Sequence, residues 1–145
     1  MKTDKILIVA DESPASAGAI RYGFNLAREL GAKVALLCVT DPAQAEGNVD
    51  AGIFPDEAGK KLKSEIEAFL KKTKKKYGHN VDTLLLNPAG DINKIAVKTA
   101  KEWGAKLVVT GTHGRTGLSR LLNGSVEESI IHNSPVPVCV VRAKM

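Results

Sequence analysis

Five stretches of this chain are apolar almost without a break: residues 5–10, 34–39, 81–86, 107–110 and 136–141. A run of that kind suits a strand covered on both faces, which is the habit of parallel sheets. Between the runs, apolar residues recur at helical spacing. Ile20, Phe24, Ala27 and Leu30 mark a first helix, and Leu62, Ile66, Phe69, Leu70 and Tyr77 a second. Ile92, Ile95, Ala96, Thr99 and Trp103 mark a third, and Ile130 and Ile131 continue a fourth that begins near Ser125. End signals agree with these spans. Ser13 is placed to cap the first helix, with Pro14 at its first position, and Asp91 to cap the third. Gly31, Gly78 and Gly104 stand where helices close. Ser125 and Glu128 have the spacing of a capping box.

Strands alternating with helices predict an α/β fold: a doubly wound sheet of five parallel strands with four helices and right-handed crossovers. No linker or repeat divides residues 1–145, so one domain is expected. Pro137 lacks an N–H, which sends the last strand to a sheet edge. The long stretch from Thr40 to Pro55 has no periodicity and reads as a loop.

Composition narrows the picture. Of 145 residues 43% are hydrophobic and only 4% aromatic, so the core must be aliphatic. The net charge of +5 favours anionic partners weakly, and no aromatic-studded basic stripe supports nucleic acid. Lys71, Lys72, Lys74, Lys75 and Lys76 read as a solvated helix face, with an anionic partner as the alternative. Cys38 and Cys139 sit in apolar runs and read as small buried hydrophobes of a reducing compartment. No apolar stretch is long enough for a membrane span, and a cytoplasmic protein is expected.

The chemistry concentrates after the fourth strand. Gly111-Thr112-His113-Gly114 is followed by nine residues and then Gly124-Ser125, where a helix begins. Glycines let a ligand approach the backbone, and a helix start offers free N–H groups to an anion. The alternative is a turn and cap with no ligand. The loop lacks the Gly-Lys-Ser/Thr of a Walker A motif and the compact spacing of a dinucleotide loop. In sheets of this kind ligands settle beyond the carboxyl ends of the strands, which brings in Asp11 and residues 39–41.

Gly-x-x-Gly, nine residues, Gly-Ser resembles the nucleotide-binding signature of the universal stress protein family. The opening Lys-Ile-Leu-Ile-Val-Ala-Asp-Glu-Ser and the closing Ser-Pro-Val-Pro-Val-Cys-Val-Val-Arg resemble its first and last strands. The resemblance implies a flavodoxin-like or adenine-nucleotide α-hydrolase-like sheet, a dimer, and ATP as ligand, with Mg²⁺ a candidate companion. Gly111, Gly114, Gly124 and Ser125 would hold the phosphates, and Thr112, His113, Arg115, Thr116 and Gly117 would line the same loop. Val126 and Glu127 would continue the contact. Val39 would meet the adenine, while Val9, Ala10 and Asp11 would border the adenosine half. Glu12 departs from the Gly or Phe common at that place and adds a carboxylate.

Asp11 reads as a contact for a ribose hydroxyl or Mg²⁺, or as part of a turn. Arg115 and Arg120 offer cations to the phosphates, or point to solvent. His113 reads as an exposed loop residue, with a general base or a donor to phosphate as the alternative, and His79 and His132 lie at helix ends. The histidines make no metal set, and no catalytic residues stand out. The closing strand, residues 136–141 from Val136 to Val141, is an apolar edge that invites pairing; the resemblance implies that two copies pair through it into a homodimer, the alternative being a loop or helix that covers the edge. Three functional readings remain open at this point: a nucleotide-dependent regulatory module, a slow ATP hydrolase, and a nucleotide-free dimeric interaction protein.

Overall fold

In the computed structural model, which describes residues 2–40, 55–112 and 126–142, strands and helices alternate throughout. The elements are β1 (Lys5–Val9), α1 (Pro14–Leu30), β2 (Lys33–Leu37), α2 (Pro55–Tyr77), β3 (Thr83–Leu86), α3 (Ile92–Trp103), β4 (Leu107–Gly111), α4 (Val126–Asn133) and β5 (Val138–Val141). The strands form one parallel sheet in the order β3-β2-β1-β4-β5. Among the described residues it is an α/β fold with a five-stranded sheet and four helices.

Local chemistry sets the helix ends. Ser13 takes an extended conformation and its Oγ accepts the N–H of Ser16 at 3.3 Å. Pro14 follows at the first helical position, where its missing N–H costs nothing. Asp91 caps α3 by accepting the Asn93 N–H at 2.8 Å. Gly31 closes α1 at φ 67°, a conformation glycine adopts without a Cβ clash.

The side-chain period of two divides each central strand between two cores. Ile6, Ile8, Val34, Leu36 and Val109 face α1 and α2, where they meet Ile20, Phe24, Ile66 and Leu70. Leu7, Val9, Ala35, Leu37 and Val108 face α3 and α4, where they meet Ala96, Ala100 and Ile130. Both faces are covered, so the apolar runs carry no polar alternation.

The departures from expectation lie at the edges. β3 begins at Thr83 rather than Val81, and β5 at Val138 rather than Val136. The Val136 N–H turns to the Ser134 Oγ at 3.2 Å, and only the Pro137 carbonyl, accepting from the Val108 N–H, joins the ladder. β5 stands at the edge as Pro137 requires. Its residues are all half-buried, which corrects the expectation of a buried Cys139: an edge strand has one neighbour instead of two. Leu30, expected on the packed face of α1, is 46% exposed in the final turn.

Candidate functional site

β1 is flanked by β2 on one side and by β4 on the other, with Ile8 registered to Leu37's neighbour Leu36 and to Val109. The helix that follows β1, α1, packs on one sheet face, and the helix that follows β4, α4, packs on the other. Such a divergence opens the crevice in which ligands of doubly wound sheets bind. Val9, Ala10 and Asp11 end β1 there, Val39 follows β2, and Gly111 and Thr112 end β4. These six residues share one end of the sheet.

The β1 corner is held by short-range bonds. Val9 and Ala10 are buried, and the Ala10 N–H donates to the Leu37 carbonyl at 2.8 Å. The Asp11 N–H donates to the Ser16 Oγ at 3.0 Å, while Asp11 Oδ1 accepts the Ser13 N–H at 2.7 Å. One carboxylate oxygen is thereby fixed in an Asx turn, the behaviour that favours Asp at such corners. The other, Oδ2, has no bond among the described residues.

Val39 has a different property. Its neighbours bond toward β3: the Cys38 N–H donates to the Leu86 carbonyl at 3.0 Å and the Thr40 N–H to the Pro88 carbonyl at 2.8 Å. Alternation along an extended chain then turns the N–H and C=O of Val39 toward β1. β1 has already left the sheet at Asp11. Val39 therefore makes no backbone hydrogen bond among the described residues. A backbone donor and acceptor side by side, next to the Asp11 turn, offer a two-point contact to a flat polar ring edge.

At β4 the backbone comes close to α1. A Cβ on Gly111 would stand 3.1 Å from the Ala15 carbonyl oxygen, so the first turn of α1 rests on this glycine. The Thr112 N–H donates to the Val141 carbonyl at 3.1 Å, tying the start of the glycine loop to β5. His113, Gly114, Arg115, Thr116, Gly117, Arg120, Gly124 and Ser125 lie outside the described residues, as does residue 41. Val126 and Glu127 open α4.

One pair at this end of the sheet escapes sequence reasoning. Thr40 Oγ1 donates to Asn87 Oδ1 at 2.7 Å, and the buried Asn87 Nδ2 has no partner among the described residues. The available signal was an Asn at the carboxyl end of a parallel strand, but nothing in the spacing joins it to Thr40.

The corner is also anionic. Burial pushes the Cys38 thiol up to about 12, and the carboxylates of Asp11 and Glu12 push it the same way. Burial raises the Cys139 thiol as well. The folded state therefore holds the Cys38 proton where the unfolded chain, near 9.0, releases it. That contribution to stability is complete below pH 9 and is lost as pH rises toward 12. Iodoacetamide at pH 8 is expected to label Cys139 well before Cys38, with Cys38 reacting on denaturation. Peptide mapping of the alkylated cysteines checks it, and faster labelling of Cys38 would refute it.

The profile of the universal stress protein family matches residues 2–142. The chain belongs to the universal stress protein family. It is 37% identical over 143 residues to universal stress protein MJ0531 of Methanocaldococcus jannaschii, covering 95% of this chain and 81% of that one. The solved structure of MJ0577 from the same organism superposes with a TM-score of 0.84 at 27% identity, covering 100% of this chain and 99% of that one. A universal stress protein in complex with cAMP superposes at a TM-score of 0.77, 19% identity, and 99% and 100% coverage. One from Archaeoglobus fulgidus in complex with dAMP gives a TM-score of 0.67, 20% identity, and 99% and 100% coverage. At such identities the last two show the fold alone. Among the described residues of this universal stress protein, no helix is long and apolar enough to cross a membrane.

Proposed function

We propose that this universal stress protein is an ATP-binding regulatory module. The observation that carries the reading is the unclaimed N–H and C=O of Val39 beside the Asp11 turn. An adenine edge presents an acceptor next to a donor and is complementary to that pair. Asp11, fixed through Oδ1 with Oδ2 left over, suits a ribose hydroxyl or a nucleotide-bound Mg²⁺. The glycine signature from Gly111 to Ser125 would cradle the phosphates, as glycine loops before a helix do. Relatives of the same fold described with cAMP and dAMP support an adenine nucleotide.

In this reading the bound nucleotide favours one state of the protein surface around it. A ligand does this through its difference in affinity for two states. The half-buried edge strand β5 would join two copies through residues 136–141, and the setting would be cytoplasmic. Catalysis is no part of the reading, since the Lys of a P-loop is missing.

The test is the ligand itself. Purified protein is denatured and its supernatant resolved by nucleotide chromatography, with Gly114→Asp and Gly124→Asp as controls. ATP is expected from the parent and from neither variant. Added ATP with Mg²⁺ at a hundred times its Kd is expected to stabilise the nucleotide-free parent by about 2.7 kcal/mol. No released nucleotide together with no thermal shift would refute the reading. Steady phosphate release lost in both variants would replace the binding module with a hydrolase.

A further inference from the structure

We propose that the outer edge of β3, together with the lysines of α2, is a docking strip for an extended acidic peptide.

β3 is the terminal strand opposite β5. The Val34 N–H donates to the Asp82 carbonyl at 2.9 Å and the Cys38 N–H to the Leu86 carbonyl at 3.0 Å. The even-numbered residues thus bond to β2, and alternation points the backbone groups of Thr83 and Leu85 away from the sheet. Neither has a backbone partner among the described residues. An open edge of this kind is a template for one more strand. Leu84 is 46% exposed beside it.

The same edge borders an open pocket of about 510 Å³, lined by Leu85, Lys71, Lys74, Lys75, Gly78 and His79. Lys71, Lys74 and Lys75 recur at helical spacing and so share one face of α2. None has a carboxylate within 4.0 Å among the described residues, and nearby Asp82 is paired with Lys33. Nor do these lysine side chains bond to the end of their helix among the described residues. Arg28 from α1 takes the last carbonyl, donating through Nη2 to Tyr77 O at 2.6 Å and through Nε to the His79 carbonyl just beyond at 2.9 Å, and the Gly78 N–H takes the Lys74 carbonyl at 2.8 Å. A cluster of cations is left facing an unpaired strand edge.

The occupant follows from that combination. A second copy of this edge would bring lysines against lysines, so the charge rejects self-pairing while admitting an acidic strand. The only ring among the pocket's lining residues is the imidazole of His79, too small a stacking platform to favour single-stranded nucleic acid. An extended peptide would pair with Thr83 and Leu85 through its backbone. Its alternate side chains would set carboxylates among the lysines and an apolar group on Leu85.

The test uses the full chain and a fluorescein-labelled peptide of alternating glutamate and valine, followed by anisotropy. A peptide of equal charge with proline at alternate positions and inorganic polyphosphate serve as comparisons. The first peptide is expected to bind and the proline peptide not. The exposed double variant Lys74→Glu, Lys75→Glu is expected to weaken binding about tenfold. Amide exchange at Thr83 and Leu85 is expected to slow when the peptide is added. No binding, equal binding of the proline peptide, tighter binding of polyphosphate, or unchanged exchange at Thr83 and Leu85 would each overturn the proposal. The nucleotide reading is untouched by any of these results, because the strip shares no residue with the crevice.

Discussion

Phe24→Ala is expected to cost about 3–5 kcal/mol of folding free energy. Phe24 is completely buried, in the core where α1 and α2 meet the sheet. Aromatic residues make up only 4% of the chain, so few large side chains stand ready to fill the space. The ring also reaches the end of α2: its Cε1 lies 3.4 Å from where a Cβ on Gly78 would stand. Truncation therefore leaves a cavity between two helices and the sheet, which close-packed surroundings fill only in part. For a domain stable by about 5–15 kcal/mol this is a large share of the total. Urea titration followed by circular dichroism measures it. Phe24→Leu, nearer in volume, is expected to lose less than about 1.5 kcal/mol. A loss below about 1 kcal/mol in the alanine variant would show that α1 settles onto the sheet without the ring.

Gly111→Val is expected to remove altogether the stabilisation that the proposed binding of ATP and Mg²⁺ would give, about 2.7 kcal/mol at a hundredfold excess over Kd. The Cβ alone would come within 3.1 Å of the Ala15 carbonyl oxygen, and that oxygen belongs to backbone in the first turn of a helix. Valine adds two methyl groups at the same place, so either α1 or the end of β4 must move. Both carry the crevice: α1 follows directly on the Asp11 turn, and β4 leads into the glycine loop. The overpacking itself is expected to cost about 1–3 kcal/mol without ligand. Melting curves with and without ATP and Mg²⁺ separate the two effects. A nucleotide shift that survives in a folded Gly111→Val protein would remove the end of β4 from the site.

The central strands were legible because they are buried twice over. Ile6, Ile8, Leu36 and Val109 face one core while Leu7, Leu37 and Val108 face the other, so a continuous apolar run had one sensible meaning. Ser13, Gly31, Asp91 and Gly104 were legible because caps obey local rules of hydrogen bonding and φ. Edges were harder to read: Val81 and Val136 look like strand residues, but pairing with one neighbour ends where that neighbour ends. Of the site, Asp11 and Gly111 showed through residue type and position. The reason for Val39 did not, since its property is an absent bond, created only when β1 turns away. The fixing of α2 by Arg28 was equally hidden, because it joins residues about fifty apart in sequence.

The strand order has a kinetic consequence. β1 meets β2 early in synthesis, but Ile6 finds Leu107 only after about a hundred further residues have been made. Closing so long a loop carries an entropic cost that local contacts do not offset, so the β1–β4 pairing is expected to form late in folding. The crevice lies at that pairing and does not exist before it. On the proposed reading, a nucleotide then recognises only a chain that has completed its sheet. Bound ligand should slow unfolding while leaving the folding rate as it was, acting as a latch on the finished protein and never as a seed for it.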